Sequence, residues 1–231
     1  MIDLCLDTSA STAVALVADG EVLARAAHDS PRHHAESVVP LLHRALLEAG
    51  LPLEVARAGI DRVCVGTGPA PFTGLRAGLV SARVIARACG APLHGASSLD
   101  VIARQGLDRL PPDARVFAVS DARRKELYWG CYRAEGPDDV ALIGDLEVGP
   151  PQMLANQMGG SDALIVAADD LPAHCAPILS SDRTGPTAPL DPAVLARLVC
   201  ARLARGDVER LGVEPLYLRR PDIHGRPAER L

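Results

Sequence analysis

The chain has 231 residues, 48% hydrophobic and 23% charged, enough for one large domain or two lobes with real cores. A formal net charge of −5 excludes a global attraction to nucleic acid, so any RNA has to be held by a local patch or through a partner. No apolar run approaches the roughly 20 residues that span a bilayer, and Met1-Ile2-Asp3-Leu4 lacks the basic start of a secretory leader, so no membrane association and a cytoplasmic location are expected.

Residues 2–6 form a short apolar run ending in Asp7-Thr8-Ser9. Residues 12–18 and 21–26 flank Asp19-Gly20, a dipeptide suited to a two-residue hairpin, so three strands open the chain. A helix is predicted over about 35–49, closed by Gly50 and Pro52, with Val38, Leu42 and Ala45 on one face. Pro40 fits its first turn if Ser37 is the N-cap and otherwise kinks it. A buried-type strand over 62–66 follows, then a helix over about 73–89 capped by Gly90, a brief strand from Leu93, and a helix over 98–104.

Gly106 to Asp113, with two adjacent prolines, is the expected boundary between lobes 1–106 and 107–231. Beyond it, strands over 116–119, 126–133 and 141–148 surround the polar tip Ser120-Asp121-Ala122-Arg123. Strand, acidic tip, strand, strand repeats the opening of the chain and points to a duplicated lobe. A helix near 151–157, a strand over 163–168, a helix near 192–204 and a tail with Arg219, Arg220, Arg226 and Arg230 complete the chain. A meander followed by α/β alternation predicts mixed sheets flanked by helices.

Several groups could carry chemistry. Asp7, Thr8 and Ser9 could hold a metal-phosphate, although the tripeptide also suits a turn; Asp121 and Arg123 form a similar pair. The loop from Gly66 to Arg76 joins a strand to a helix start, where free N–H groups can hold an anion. It lacks the Lys-Ser/Thr of a P-loop, and the competing reading is a tight loop in which Thr73 caps the helix. Gly74, Gly78 and Ala82 stack at i, i+4 spacing with Ala77 and Ser81 beside them. Such a strip admits either close packing within the chain or a partner's approach. His33-His34 cannot both face one ion from a helix, so no metal site is expected there. Six scattered cysteines without a CxxC pair read mostly as small buried hydrophobes.

Leu6-Asp7-Thr8, Pro31 to His34, Gly66 to Arg76, Asp121 to Trp129 and Glu214 to Arg219 together, in order, resemble the TsaB (YeaZ) family. The resemblance implies a two-lobed, actin-like α/β fold of the sugar kinase and Hsp70 type, ribonuclease H-like in its sheets. It implies a non-catalytic subunit of the complex that forms threonylcarbamoyladenosine in tRNA. The partners it implies are a TsaD-like catalytic subunit and a TsaE-like ATPase, with a homodimer when alone and tRNA met only through the complex. The interface it implies uses the first two helices, here Val38, Leu42, Gly74, Ala77, Gly78, Ser81 and Ala82. Where TsaD-like chains carry two metal-binding histidines, this chain has Ser98 and Ile102, so no metal and no cofactor are expected. Ala70-Pro71 replaces the family's Gly-Ser and removes one N–H from the loop. The alternative is an independent enzyme, either a sugar-kinase-like ATPase, for which Met158-Gly159-Gly160-Ser161 is the nearest thing to an adenosine loop, or a glycoprotease-type metallohydrolase.

Overall fold

Alternation along the first strand sets the layering. In β1 (Ile2–Asp7), Leu4 and Leu6 point to one face and Cys5 to the other, and all three are fully buried, so both faces of the sheet must be covered. The computed structural model describes residues 1–28, 34–179 and 183–219. β1 pairs antiparallel with β2 (Thr12–Ala18), which pairs antiparallel with β3 (Glu21–His28). Asp19 (φ 50°) and Gly20 (φ 86°) both turn left-handed between β2 and β3, the geometry that Asp-Gly accommodates at least cost. β4 (Arg62–Gly66) and β5 (Leu93–Ala96) add in parallel, giving the order β3-β2-β1-β4-β5.

The second sheet contains β6 (Arg115–Arg123), β7 (Glu126–Glu135), β8 (Asp139–Gly149), β9 (Leu164–Ala167) and β10 (Thr184–Thr187). Its order, β8-β7-β6-β9-β10, repeats the first: two antiparallel neighbours on one side of the lead strand, two parallel ones on the other. This is the duplicated, two-lobed actin-like arrangement that the repeated tips anticipate.

Helices fill the spaces around the sheets. α1 (His34–Glu48) and α2 (Phe72–Cys89) cover the Leu4 and Leu6 face with Leu41, Leu46, Leu75 and Leu79. The Cys5 face meets a central core shared with α3 (Ser98–Leu107), α5 (Val194–Arg205) and the inner face of the second sheet. Within that layer α3 lies against β6 and β7, and α5 against β4 and β5, so each lobe lends cover to the other. α4 (Pro151–Met158) closes the outer face of the second sheet, where the buried Trp129 donates its indole N–H to Gln157 Oε1 at 2.7 Å.

The buried Arg202 in this central layer is paired with carboxylates from both lobes. Arg202 of α5 donates to Asp139 Oδ1 of β8 at 2.8 Å and to Asp100 Oδ2 of α3 at 2.7 Å. Burial alone would raise the Asp139 pKa, but hydrogen bonding and charge from Arg202 outweigh it and hold that carboxyl below its ordinary value.

Several sequence expectations need correction. α1 starts at His34, so Ser37 lies inside the helix and is not its cap, and Pro40 sits in an interior turn on the exposed side. Pro71, not Thr73, occupies the N-cap position of α2, and Thr73 is exposed in the first turn. β10 has no counterpart among the expected elements. Pro31, Arg32, His33, Arg220, Arg226 and Arg230 lie outside the described residues.

Candidate functional site

The loop after β4 folds around the tip of β1. Asp7 is fully buried, and its carboxylate accepts from the Ser9 amide at 2.7 Å, the Ser9 hydroxyl at 2.6 Å and the Ser98 hydroxyl at 2.6 Å. Gly66 leaves the space for this carboxylate: a Cβ there would stand 1.8 Å from Asp7 Oδ2. Ser98 also accepts from the Gly68 amide at 3.3 Å, and its own amide donates to the Gly68 carbonyl at 2.8 Å. Ser97 caps α3 by accepting from the Leu99 amide and donates to the same Gly68 carbonyl. Thr8, also buried, donates to the Gly74 carbonyl at 2.9 Å. Asp7 and Thr8 thus hold the loop, with hydroxyl and amide partners inside the chain.

The tip of β6 mirrors this. Asp121 Oδ1 accepts from the Arg123 amide at 2.7 Å, the same two-residue spacing as Asp7 and Ser9, and Asp121 Oδ2 pairs with the Arg123 guanidinium at 3.0 Å. The two tips face a cleft of about 520 Å³ between the lobes. Ser9, Asp121 and Arg123 of the predicted nucleotide set reach it, together with Pro71, Asp169 and Asp170, whereas Asp7 and Thr8 do not line it. Its ends are more acidic than basic, and Pro71 brings no N–H to it. Met158 and Gly159 border a separate pocket of about 170 Å³ and do not line the cleft. Among the described residues no group of three or more His, Cys, Asp or Glu is placed to hold a metal ion.

The helix strip predicted as a partner surface turns inward. Val38, Leu42, Gly74, Gly78 and Ala82 are buried, and Ala77 and Ser81 are only half-buried. Gly78 lets α2 approach the β1 tip: a Cβ there would meet Thr8 Oγ1 at 2.2 Å. Val38, Leu42, Gly74, Gly78 and Ala82 therefore serve packing within the chain, while Ala77 and Ser81 keep part of their surface open. What the two helices present to solvent is Val39 (57% exposed) and Leu47 (70%) on α1, and Val80 (57%) and Val84 (63%) on α2.

A strap of the chain beyond α5, missed by periodicity, borders this face. Leu216 donates its amide to the Thr67 carbonyl at 2.9 Å. The Tyr217 ring stacks on Phe72 with centroids 4.9 Å apart, and Arg76 lies 3.5 Å over the Phe72 ring while donating to the Tyr217 hydroxyl at 2.9 Å. Arg219 pairs with Glu126 at the start of β7. The run from Glu214 to Arg219 was visible in the sequence, but nothing local said where it docks.

A family profile described as "TsaD: tRNA N6-adenosine threonylcarbamoyltransferase" matches residues 22–177. An uncharacterized protein of Mycobacterium tuberculosis is 36% identical over 191 residues, 83% of this chain and 77% of the relative. The "tRNA threonylcarbamoyladenosine biosynthesis protein TsaB" of Haemophilus influenzae is 28% identical over 228 residues, 94% of this chain and 92% of its own length. The solved structure of YeaZ from Pseudomonas aeruginosa superposes with a TM-score of 0.71 at 28% identity, covering 94% of this chain and 99% of that one.

Proposed function

The chain belongs to the TsaD family and sits with its TsaB/YeaZ members, and from that premise we propose that it is a non-catalytic subunit of the machinery forming threonylcarbamoyladenosine in tRNA. Its task is to bind and support a TsaD-like catalytic chain in the cytoplasm. A TsaE-like ATPase joins the complex, tRNA is met only through it, and the same face pairs two copies of this chain when the partner is absent.

The observation that carries this reading is the outer face of α1 and α2, where Val39, Leu47, Val80 and Val84 stand in solvent on two packed helices. Large apolar side chains left in solvent on two adjoining helices mark an interaction surface. The closed tip of β1 supports the absence of catalysis. Asp7 is the carboxylate a metal-phosphate would need, and it is buried and engaged by Ser9 and Ser98, with Gly66 packed against it.

Titration calorimetry of this chain with a TsaD-like catalytic chain tests the proposal. Val84→Arg should weaken binding by about thirtyfold or more, since an interface anchor is worth about 2 kcal/mol or more, while the isolated variant melts as the unmodified chain does. Turnover of ATP or threonylcarbamoyl transfer by the purified chain alone, abolished by Asp7→Ala, would refute the non-catalytic reading.

A further inference from the structure

The apolar face of α1 and α2 has a charged border with a single sign along α2. α2 contains Arg76, Arg83 and Arg87 and no acidic residue, in a chain whose net charge is −5. Spacings of seven and four residues place the three arginines on one ridge, and Val80 and Val84 stand beside it. Only part of this charge is compensated within the chain. Arg83 pairs with Glu214 of the strap at 3.3 Å. Arg76 is turned toward the Tyr217 hydroxyl and the Phe72 ring, and neither Arg76 nor Arg87 makes an ion pair among the described residues. On α1 the carboxylates Glu36 and Glu48 sit near the two ends, and Arg44 is turned toward the Ala27 carbonyl of β3.

We propose that the partner seated on this face presents an apolar helical surface bordered by carboxylates opposite Arg83 and Arg87, and that these arginines favour that partner over a second copy of this chain. The inference rests on the docking face described above and goes further by stating the partner's chemistry. A two-fold pair of identical chains brings two arginine ridges into one interface, and like charges brought together act against the wrong pairing. A partner with carboxylates at those positions gains attraction where a second copy meets repulsion.

The experiment measures affinity for the TsaD-like chain and self-association by light scattering, each at about 0.05 M and about 0.5 M salt, where screening changes several-fold. The unmodified chain should bind its partner more weakly at high salt and self-associate more strongly. The Arg83→Glu/Arg87→Glu double variant should lose about thirtyfold in partner affinity, the sum of lost attraction and added repulsion at two exposed positions, and reverse the sign of the salt effect. Arg83→Lys/Arg87→Lys should stay within about threefold of the unmodified chain, because it keeps the charge. If Val84→Arg abolishes partner binding while the Glu double variant keeps both affinity and salt dependence, the docking face stands and the carboxylate border is overturned. If a partner that still binds ignores all these variants, the docking face fails and this inference fails with it. If the Glu double variant leaves partner binding intact but abolishes binding of tRNA by the isolated chain, the arginines serve RNA, and the inference is likewise overturned.

Discussion

Gly78→Ala measures how tightly α2 is seated on the tip of β1. A Cβ at position 78 would lie 2.2 Å from Thr8 Oγ1, 3.0 Å from Thr8 Cγ2 and 3.1 Å from Thr8 Cβ. Thr8 has little room to retreat, because it is buried between the loop and Asp7, whose carboxylate is held by Ser9 and Ser98. Relieving the contact means shifting the helix or rotating Thr8 away from the Gly74 carbonyl. Overpacking costs about 1–3 kcal/mol, and loss of the Thr8 hydrogen bond about 1 kcal/mol. Exchanging glycine for alanine within a helix returns about 1 kcal/mol. The net expectation is a destabilisation of about 2 kcal/mol, read as a lower urea midpoint at unchanged slope. Thr8→Ala removes the two nearest atoms, so the Thr8→Ala/Gly78→Ala pair should be more stable than the sum of its singles by about 1–2 kcal/mol. Partner affinity of the folded Gly78→Ala chain should change less than about twofold, since the strip faces inward. A Gly78→Ala chain stabilised by about 1 kcal/mol, as helix propensity alone would give, would refute the close contact.

Asp139 should make the fold acid-sensitive. Its carboxyl is held below its ordinary value in the folded chain, so its contribution is present above the unfolded value of about 3.9 and is lost as pH falls through the folded value. The melting temperature should fall steeply below about pH 4, and Asp139→Asn should flatten that loss while lowering stability at pH 7, because Arg202 is left buried with one partner fewer; an unchanged acid profile in the variant would refute this. Tyr217→Ala should free the strap, removing the ring stack on Phe72 at a cost of about 0.5–1.5 kcal/mol beyond area lost. Hydrogen exchange at the Leu216 amide should then accelerate while the amides of β1 stay protected; equal protection at Leu216 in both chains would show that the backbone bond holds the strap without the ring.

Local signals were readable where the physics is local. Asp19-Gly20 fixes a hairpin because both residues tolerate positive φ, and Gly90 ends α2 in the left-handed conformation (φ 65°) for the same reason. The repeated acidic tips pointed to two equivalent lobes because each ends the lead strand of its sheet. β10 was not legible: Thr184-Gly185-Pro186-Thr187 has no apolar alternation and carries a Gly-Pro pair that reads as a turn, and Pro186 is tolerated because the strand lies at the sheet's edge. The inward direction of Gly74, Gly78 and Ala82 was equally hidden. A small-residue strip says that something approaches closely, and only the tertiary position of Thr8 says that the visitor belongs to the same chain. Ser98 was read as a poor metal ligand, whereas its place beside Asp7 depends on a contact across 91 residues.

The strap orders events during synthesis. The carbonyl of Gly212 stands where a side chain on Gly95 would project, 2.2 Å from a Cβ built there, and Leu216 bonds Thr67. The first sheet therefore leaves the ribosome with the face of β5 at Gly95 bare and the Thr67 carbonyl without its Leu216 partner, and both wait until the whole second lobe has been translated. A sheet face and a carbonyl left uncovered for that interval are places where nascent chains can associate wrongly with one another. Conditions that slow elongation late in the message should raise the aggregated fraction of newly made chains, even though the finished molecule keeps that face covered.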